Sequence, residues 1–348
     1  SIMGYIAAYT STRLGERAVD ERKLAKPELF FWSRVMSYYP LHFVVSTVFA
    51  PMFVAVDRWY GLPWKTTAFR AFLNYSLLQA WFPKQTEAWN QPSWFLSALT
   101  TSNLAMPIVL RRTATLGKAG LRNVFKVLAT VSVLQKLAYS NTSRFRTHNI
   151  TATGSEYPLI WNMTRFHPFW SLLEMVMGVV AARDVMLDTA EDRARLEDPL
   201  AWFAAAHAPL LLRATHFDLN DGLVRSAIFV PLYTRFLMAL HRDSRSQSPS
   251  LITRLLRSAP ITGLGSLTFS VFLLHAPIGQ LFYKKAVATR LWGAPLRQNS
   301  FPLYLVTVFL ASFLVNECVI KSDTVQRAAA GAARWLALRT EGVLQDRA

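Results

Sequence analysis

Phe301–Ile320 reads FPLYLVTVFLASFLVNECVI, and its one charged side chain, Glu317, stands near the end. A bilayer core about 30 Å thick is crossed by roughly 20 mostly apolar residues in helical form, so this stretch has the length and character of a membrane span. Working back along the chain, Leu267–Tyr283, Phe169–Ala182, Trp94–Leu110 and Tyr38–Val56 repeat the pattern, separated by short basic or proline-containing connectors. Lipid offers no hydrogen-bond partners, so such segments must be helical. The sequence therefore predicts an all-α, polytopic transmembrane bundle.

Weaker segments extend the count. Thr67–Trp81 carries Arg70 and Gln79 and suits a bundle interior or the interface; Leu121–Tyr139 needs its basic entrance at the water boundary. Ala201–Leu212 is short, and Leu223–Leu240 crosses only with Arg225 and Arg235 near its ends or snorkelling. Together these give about eight to ten crossings. Ser1–Thr10 is apolar but too short to span and reads as the end of a membrane helix, so preceding sequence carrying a further helix is expected. Arg13–Glu28, Asn141–Phe166 (with His148, Gly154, Glu156 and Pro158), Arg183–Asp198 and His241–Arg257 read as polar connectors, Arg183–Asp198 as a solvated one. Residues 1–320 form the membrane domain in this reading, and 321–348 a basic surface tail.

Composition agrees. Hydrophobic residues make up 52%, charged residues 17%, and the mean hydropathy is +0.21, against about 25% charge in a typical soluble domain. The formal charge of +17 raises the question of nucleic acid, but Arg111, Arg112, Lys118, Arg122, Lys126, Lys284, Lys285 and Arg290 flank apolar segments, where cations meet anionic lipid or fix topology. Nucleic acid is not an expected partner; membrane lipids are. Trp81, Trp89 and Trp94 suit an interfacial belt. The single Cys318 excludes an internal disulfide and a thiolate metal cluster. His207 and His216 have no third ligand at a familiar interval, so no metal is expected. Asn141–Ser143 and Asn162–Thr164 match the glycosylation triplet.

Ionisable groups inside hydrocarbon are costly and must face protein, water or ligand. In RFHPFWSLLEMVMGVVAAR, Ser171 and Glu174 follow His167 by four and seven residues, on one helical face. A neutral imidazole oriented by a carboxylate can activate a hydroxyl; the same residues could instead cap the helix and pair with an arginine such as Arg34. GSLTFSVFLLHAPIG places His275 after an apolar run and before Pro277, as a packed histidine or a site residue. WSRVMSYYPLHFVV offers Arg34, Tyr38, Tyr39 and His42; a guanidinium fork there suits a phosphate, a lipid headgroup or an internal carboxylate.

These segments, with NQPSWFLSALT, resemble in order the acyltransferase 3 family of polytopic membrane O-acyltransferases. FFWSRVMSYYPLHFVV is similar to the family's basic approach to its third helix, NQPSWFLSALT to its Pro-Ser-Trp-x-Leu-Ser segment, and GSLTFSVFLLHAPIG to its late Leu-Leu-His-x-Pro helix. The resemblance implies a bundle of about ten helices that takes an acyl group, commonly acetyl, from acyl-CoA and passes it to a hydroxyl on a glycan or lipid-like acceptor. It implies that Arg34 faces CoA phosphates, that Trp94 and Ser97 bind substrate and that His275 belongs to the site, with His167 and Glu174 as further catalytic candidates. The family's first-helix histidine, about eleven residues after an Arg or Lys, has no counterpart in this chain; Ser37 replaces a second arginine and Leu99 a glutamate. Membrane O-acyltransfer is the leading expectation. A noncatalytic subunit of a larger membrane complex is the alternative, and a transporter stands behind both.

Overall fold

In a computed structural model, the structure describes residues 1–12, 24–142, 157–189, 197–215 and 228–345, with single positions 20, 192 and 224. The helices are α1 (Ile2–Thr10), α2 (Pro27–Trp59), α3 (Trp64–Tyr75), α4 (Trp94–Ala114), α5 (Lys118–Thr142), α6 (Tyr157–Phe166) and α7 (Pro168–Met186). They continue as α8 (Pro199–Ala214), α9 (Phe229–Asp243), α10 (Leu251–Leu256), α11 (Ala259–Tyr283), α12 (Lys285–Trp292), α13 (Phe301–Val315) and α14 (Asp323–Gln345). Among the described residues the fold is all-α. Among the described residues, four helical stretches, Pro27–Trp59, Gln91–Ala114, Ala259–Tyr283 and Gln298–Ile320, are long and apolar enough to cross a membrane, against the eight to ten counted from the whole sequence. Along α13, Leu303, Val306, Leu310, Phe313 and Leu314 are all exposed, while Val308 and Ser312 are buried. A continuous apolar surface of this kind is rare on soluble monomers and natural against lipid.

The chain folds as two compact units, Ser1–Ala25 with Leu104–Ile261, and Lys26–Asn103 with Thr262–Ala348. In the first, α1, α5, α6 and α9 pack on α7, and α8 packs on α9. The α1–α7 crossing is set by two glycines. A Cβ on Gly4 would stand 1.9 Å from the Met175 carbonyl oxygen, and one on Gly178 1.9 Å from that of Ser1. Small residues let helix backbones meet this closely where lipid provides no hydrophobic drive for association.

The charged run after α7 corrects the sequence reading. Its first part is not a solvated connector: α7 continues to Met186, and Arg183, Asp184 and Asp188 are buried. Arg242 of α9 donates from Nε to Asp188 Oδ2 at 2.7 Å and from Nη2 to Asp184 Oδ2 at 3.2 Å. Lys118 bonds Asp188 and lies 2.6 Å from Asp192, and Arg122 pairs with Asp184 at 3.4 Å. Lys118 and Arg122, read from sequence as lipid-facing flanks, thus tie α5 to the end of α7. His148, Gly154, Glu156, Ser143, His216 and Arg225 lie outside the described residues, whereas Tyr157–Phe166, expected as loop, is helical.

In the second unit, α3, α12 and α14 pack on α2. The tail is an ordered helix, α14, which buries Ala329, Ala333 and Ala337, one turn apart on a single face. Lys26 and Glu341 lie 3.8 Å apart, so the C-terminal end of α14 lies near the start of α2. At 12 residues, α3 is about 18 Å long and too short to span. Its last carbonyls, left without helical partners, are taken by α2: His42 Nε2 donates to Asn74 O at 2.9 Å, and the Tyr39 hydroxyl to Tyr75 O at 3.0 Å.

Candidate functional site

The second unit brings together the two segments richest in motif residues. Pro277 has no backbone N–H, so the Leu273 carbonyl four residues earlier loses its helical partner. Asn90 supplies one, its Nδ2 donating to Leu273 O at 3.1 Å. One helical turn beyond Pro277, Gln280 Nε2 donates to Trp89 O at 3.2 Å. The loop before α4 is thereby fastened to α11 on both sides of Pro277. Trp89 adopts a φ of 63°, a conformation that costs a bulky residue roughly 1–3 kcal/mol. Its indole holds it there, stacked on Phe53 at 5.5 Å and donating to Asp57 Oδ2 at 3.1 Å. Trp89 is therefore buried, not a belt residue.

Behind this loop lies a buried polar layer. Ser46 donates to Asn74 Oδ1 at 2.9 Å, Asn74 Nδ2 to Ser93 Oγ at 3.1 Å and Gln79 Nε2 to the same hydroxyl at 2.9 Å; Ser93 passes its own hydrogen to Asn90 O at 2.6 Å. Ser97, expected to bind substrate, is fully buried and accepts from Ala80 N at 3.1 Å, so its hydroxyl anchors the loop after α3.

Trp94 and His275 are joined by a run of rings: Trp94 to Phe95 at 6.0 Å, Phe95 to Phe272 at 5.6 Å and Phe272 to His275 at 6.2 Å. His275 Nδ1 lies 2.8 Å from Phe272 O. A carbonyl only accepts, so Nδ1 carries a hydrogen and Nε2 is the ring nitrogen left to face a ligand. The Tyr304 hydroxyl donates to His275 O at 3.0 Å, bracing this turn of α11 from α13. Arg34 is half-buried on α2, its guanidinium over the Phe30 ring at 5.3 Å. It stands two turns before His42, about 12 Å away by helical rise.

His167 and Glu174 belong to the first unit. His167 is the N-cap of α7, its Nδ1 accepting from Phe169 N at 3.3 Å. The lone pair that a base would use is occupied by the cap, and partial burial lowers the imidazole below its ordinary value, favouring the neutral form that the cap requires. Glu174 is half-buried within Coulombic range of Lys136, a buried lysine that donates to Thr164 O at 2.7 Å and was not singled out from sequence. Asn162 and Thr164 of the glycosylation triplet are buried within α6. His207 donates from Nδ1 to Phe203 O at 2.8 Å and packs among Phe203, Phe229 and Tyr233, and no group of three metal-ligating side chains exists among the described residues.

Asn90, Gln280 and Asn74 also escaped the sequence reading. Pro277 inside an apolar helix was the available signal, because a freed carbonyl in hydrocarbon must find a donor. No curated protein matches the chain, and no solved structure does. The model of the acyltransferase domain matches residues 4–316, which includes parts of both units and ends before α14. On that match, carried from α1 through α13, the chain belongs to the acyltransferase 3 family of membrane acyltransferases.

Proposed function

We propose that the protein moves an acyl group, acetyl in the simplest case, from acyl-CoA to a hydroxyl on a glycan or lipid-like acceptor, with His275 as the base. The observation that carries this reading is the contact of His275 Nδ1 with Phe272 O at 2.8 Å, on a turn braced by Tyr304 and by the Asn90 bond to Leu273; in this reading Nε2 is the ring's acceptor. Nε2 takes the proton of the acceptor hydroxyl as its oxygen attacks the thioester carbonyl; the C–S bond then breaks, and the proton passes to the departing CoA thiolate.

Arg34 takes the CoA phosphates. Arg34 on α2 and His275 on α11 belong to the same compact unit. Trp94 lends an aromatic face to the acceptor through the ring series that ends at His275. His167 and Glu174 are left as helix cap and charge partner.

The test is transfer of labelled acetyl from acetyl-CoA to a panel of glycan and lipid acceptors by the purified full chain in phosphatidylcholine nanodiscs. His275→Ala is expected to lower the rate by about 10²–10⁴-fold, the usual contribution of a general base. Arg34→Gln should act mainly through KM for the acyl-CoA, and His167→Ala should keep the rate within a fewfold. Full activity in His275→Ala would remove the assigned base. No transfer to any acceptor by the unaltered protein would favour the noncatalytic subunit.

A further inference from the structure

In the first unit an open apolar groove of about 410 Å³ runs between α5 and α9, lined by Ala129, Thr130, Val133, Leu134, Pro231 and Leu232. Its volume falls within the range of small-molecule sites, about 300–1,000 Å³. Both walls pack on α7 and run antiparallel: Lys118 and Arg242, at the start of α5 and the end of α9, share Asp188, while Phe125 and Arg235 meet further along, the guanidinium 5.6 Å from the ring centroid.

The same faces continue as cations. On α5, Arg122 and Lys126 precede Ala129 and Val133 at helical spacing, and on α9, Arg235 follows Pro231 and Leu232 by about one turn. Arg122 is engaged with Asp184. Neither Arg235 nor Lys126 makes an ion pair among the described residues, and Asp184, Asp188, Asp192 and Glu197 are paired with Lys118, Arg122 and Arg242. Arg235 lies two turns from Arg242, about 10 Å inward from the charged boundary by helical rise. The result is an apolar slot with two cations, neither in an ion pair among the described residues, at the mouth nearer the charged end of the unit.

We propose that this groove is a binding site for one anionic phospholipid, an acyl chain lying along α5 and α9 and the phosphate meeting Arg235 and Lys126. Charge selects the occupant. A zwitterionic lipid fills the apolar part equally well but brings its own cation to two that make no ion pair among the described residues. The proposal does not rest on the acyl-transfer reading.

The test uses the full chain in nanodiscs of phosphatidylcholine and phosphatidylglycerol in equal parts, with retained lipid counted by native mass spectrometry. Retention of phosphatidylglycerol over phosphatidylcholine is expected. Each of Arg235→Gln and Lys126→Gln should lower that preference about fivefold, following the usual contribution of one cation near an anionic headgroup. Ala129→Trp should fill the slot and displace both lipids, while Lys65→Gln, on α3 of the other unit, should change nothing. Excess inorganic phosphate should leave the adduct in place; its displacement by phosphate would show a simple anion site and overturn the lipid. Equal retention of the two lipids, or an unchanged preference in both Arg235→Gln and Lys126→Gln, would also overturn the assignment.

Discussion

Pro277 deletes one hydrogen bond from α11 and thereby fixes where another residue must stand. The freed Leu273 carbonyl takes the Asn90 amide, and a side chain immediately before the Pro-Ser-Trp segment becomes a tie between α4 and α11. A hydrogen bond of this kind contributes about 0.5–1.5 kcal/mol net, but removing one partner of a buried pair costs about 1–3 kcal/mol. Asn90→Ala should therefore destabilise the protein by about 1–3 kcal/mol, read as a lower unfolding midpoint in detergent. In Pro277→Ala the helix can make its own bond to Leu273 O, so adding Asn90→Ala to that background should cost clearly less. Equal costs in both backgrounds would show that Asn90 acts through something other than the freed carbonyl.

At the scale of elements, the α1–α7 crossing depends on missing side chains. The 1.9 Å clearances at Gly4 and Gly178 involve backbone oxygens, which cannot rotate away. Gly178→Ala should push the helices apart at a cost of about 1–3 kcal/mol, as overpacking does, whereas Gly263→Ala, with nothing within 4 Å of its Cβ, should not lower the unfolding midpoint. A Gly178→Ala protein that unfolds with the unaltered one would show that the crossing is not this close. The difference between these glycines also marks how far the sequence was legible. Both stand in apolar helical segments, and only a partner helix separates them. The strong spans α2, α4, α11 and α13 were readable because twenty apolar residues have one outcome in lipid. Helices such as α3 and α9, and the charged end of α7 beyond the strong run Phe169–Ala182, were harder, because their polar residues face one another or neighbouring loops: Asn74 and Gln79 meet Ser93, and Asp184 meets Arg242. In the candidate site His275 and Trp94 could be picked out by motif, but the anchoring role of Ser97 and the contribution of Asn90 depend on contacts between distant segments.

For the molecule as a whole, the charge imbalance of 38 Lys and Arg against 21 Asp and Glu makes each buried carboxylate matter. Asp57, Asp184 and Asp188 are buried against Arg70, Arg242 and Lys118, while surplus cations such as Lys126 and Lys285 are exposed. Burial alone would push the Asp188 carboxyl up, but the hydrogen bonds and charges of Arg242 and Lys118 outweigh it and hold the group below the usual carboxylate range. A carboxylate depressed on folding contributes stability that is complete above its unfolded value, about 3.9, and is lost as pH falls through the folded one. The unfolding midpoint, followed by tryptophan fluorescence in detergent, should thus change little through this group from pH 8 to about 5 and fall below about pH 4. Asp188→Asn puts a neutral group between Arg242, which keeps Asp184, and the half-buried Lys118, which keeps Asp192. Its midpoint should be lower at pH 7, by less than the roughly 3–5 kcal/mol typical of a fully broken buried pair, and its further loss in acid should be smaller. If the midpoint instead falls between pH 7 and 6, equally in the Asp188→Asn protein, a histidine controls acid stability and the Asp188 network does not.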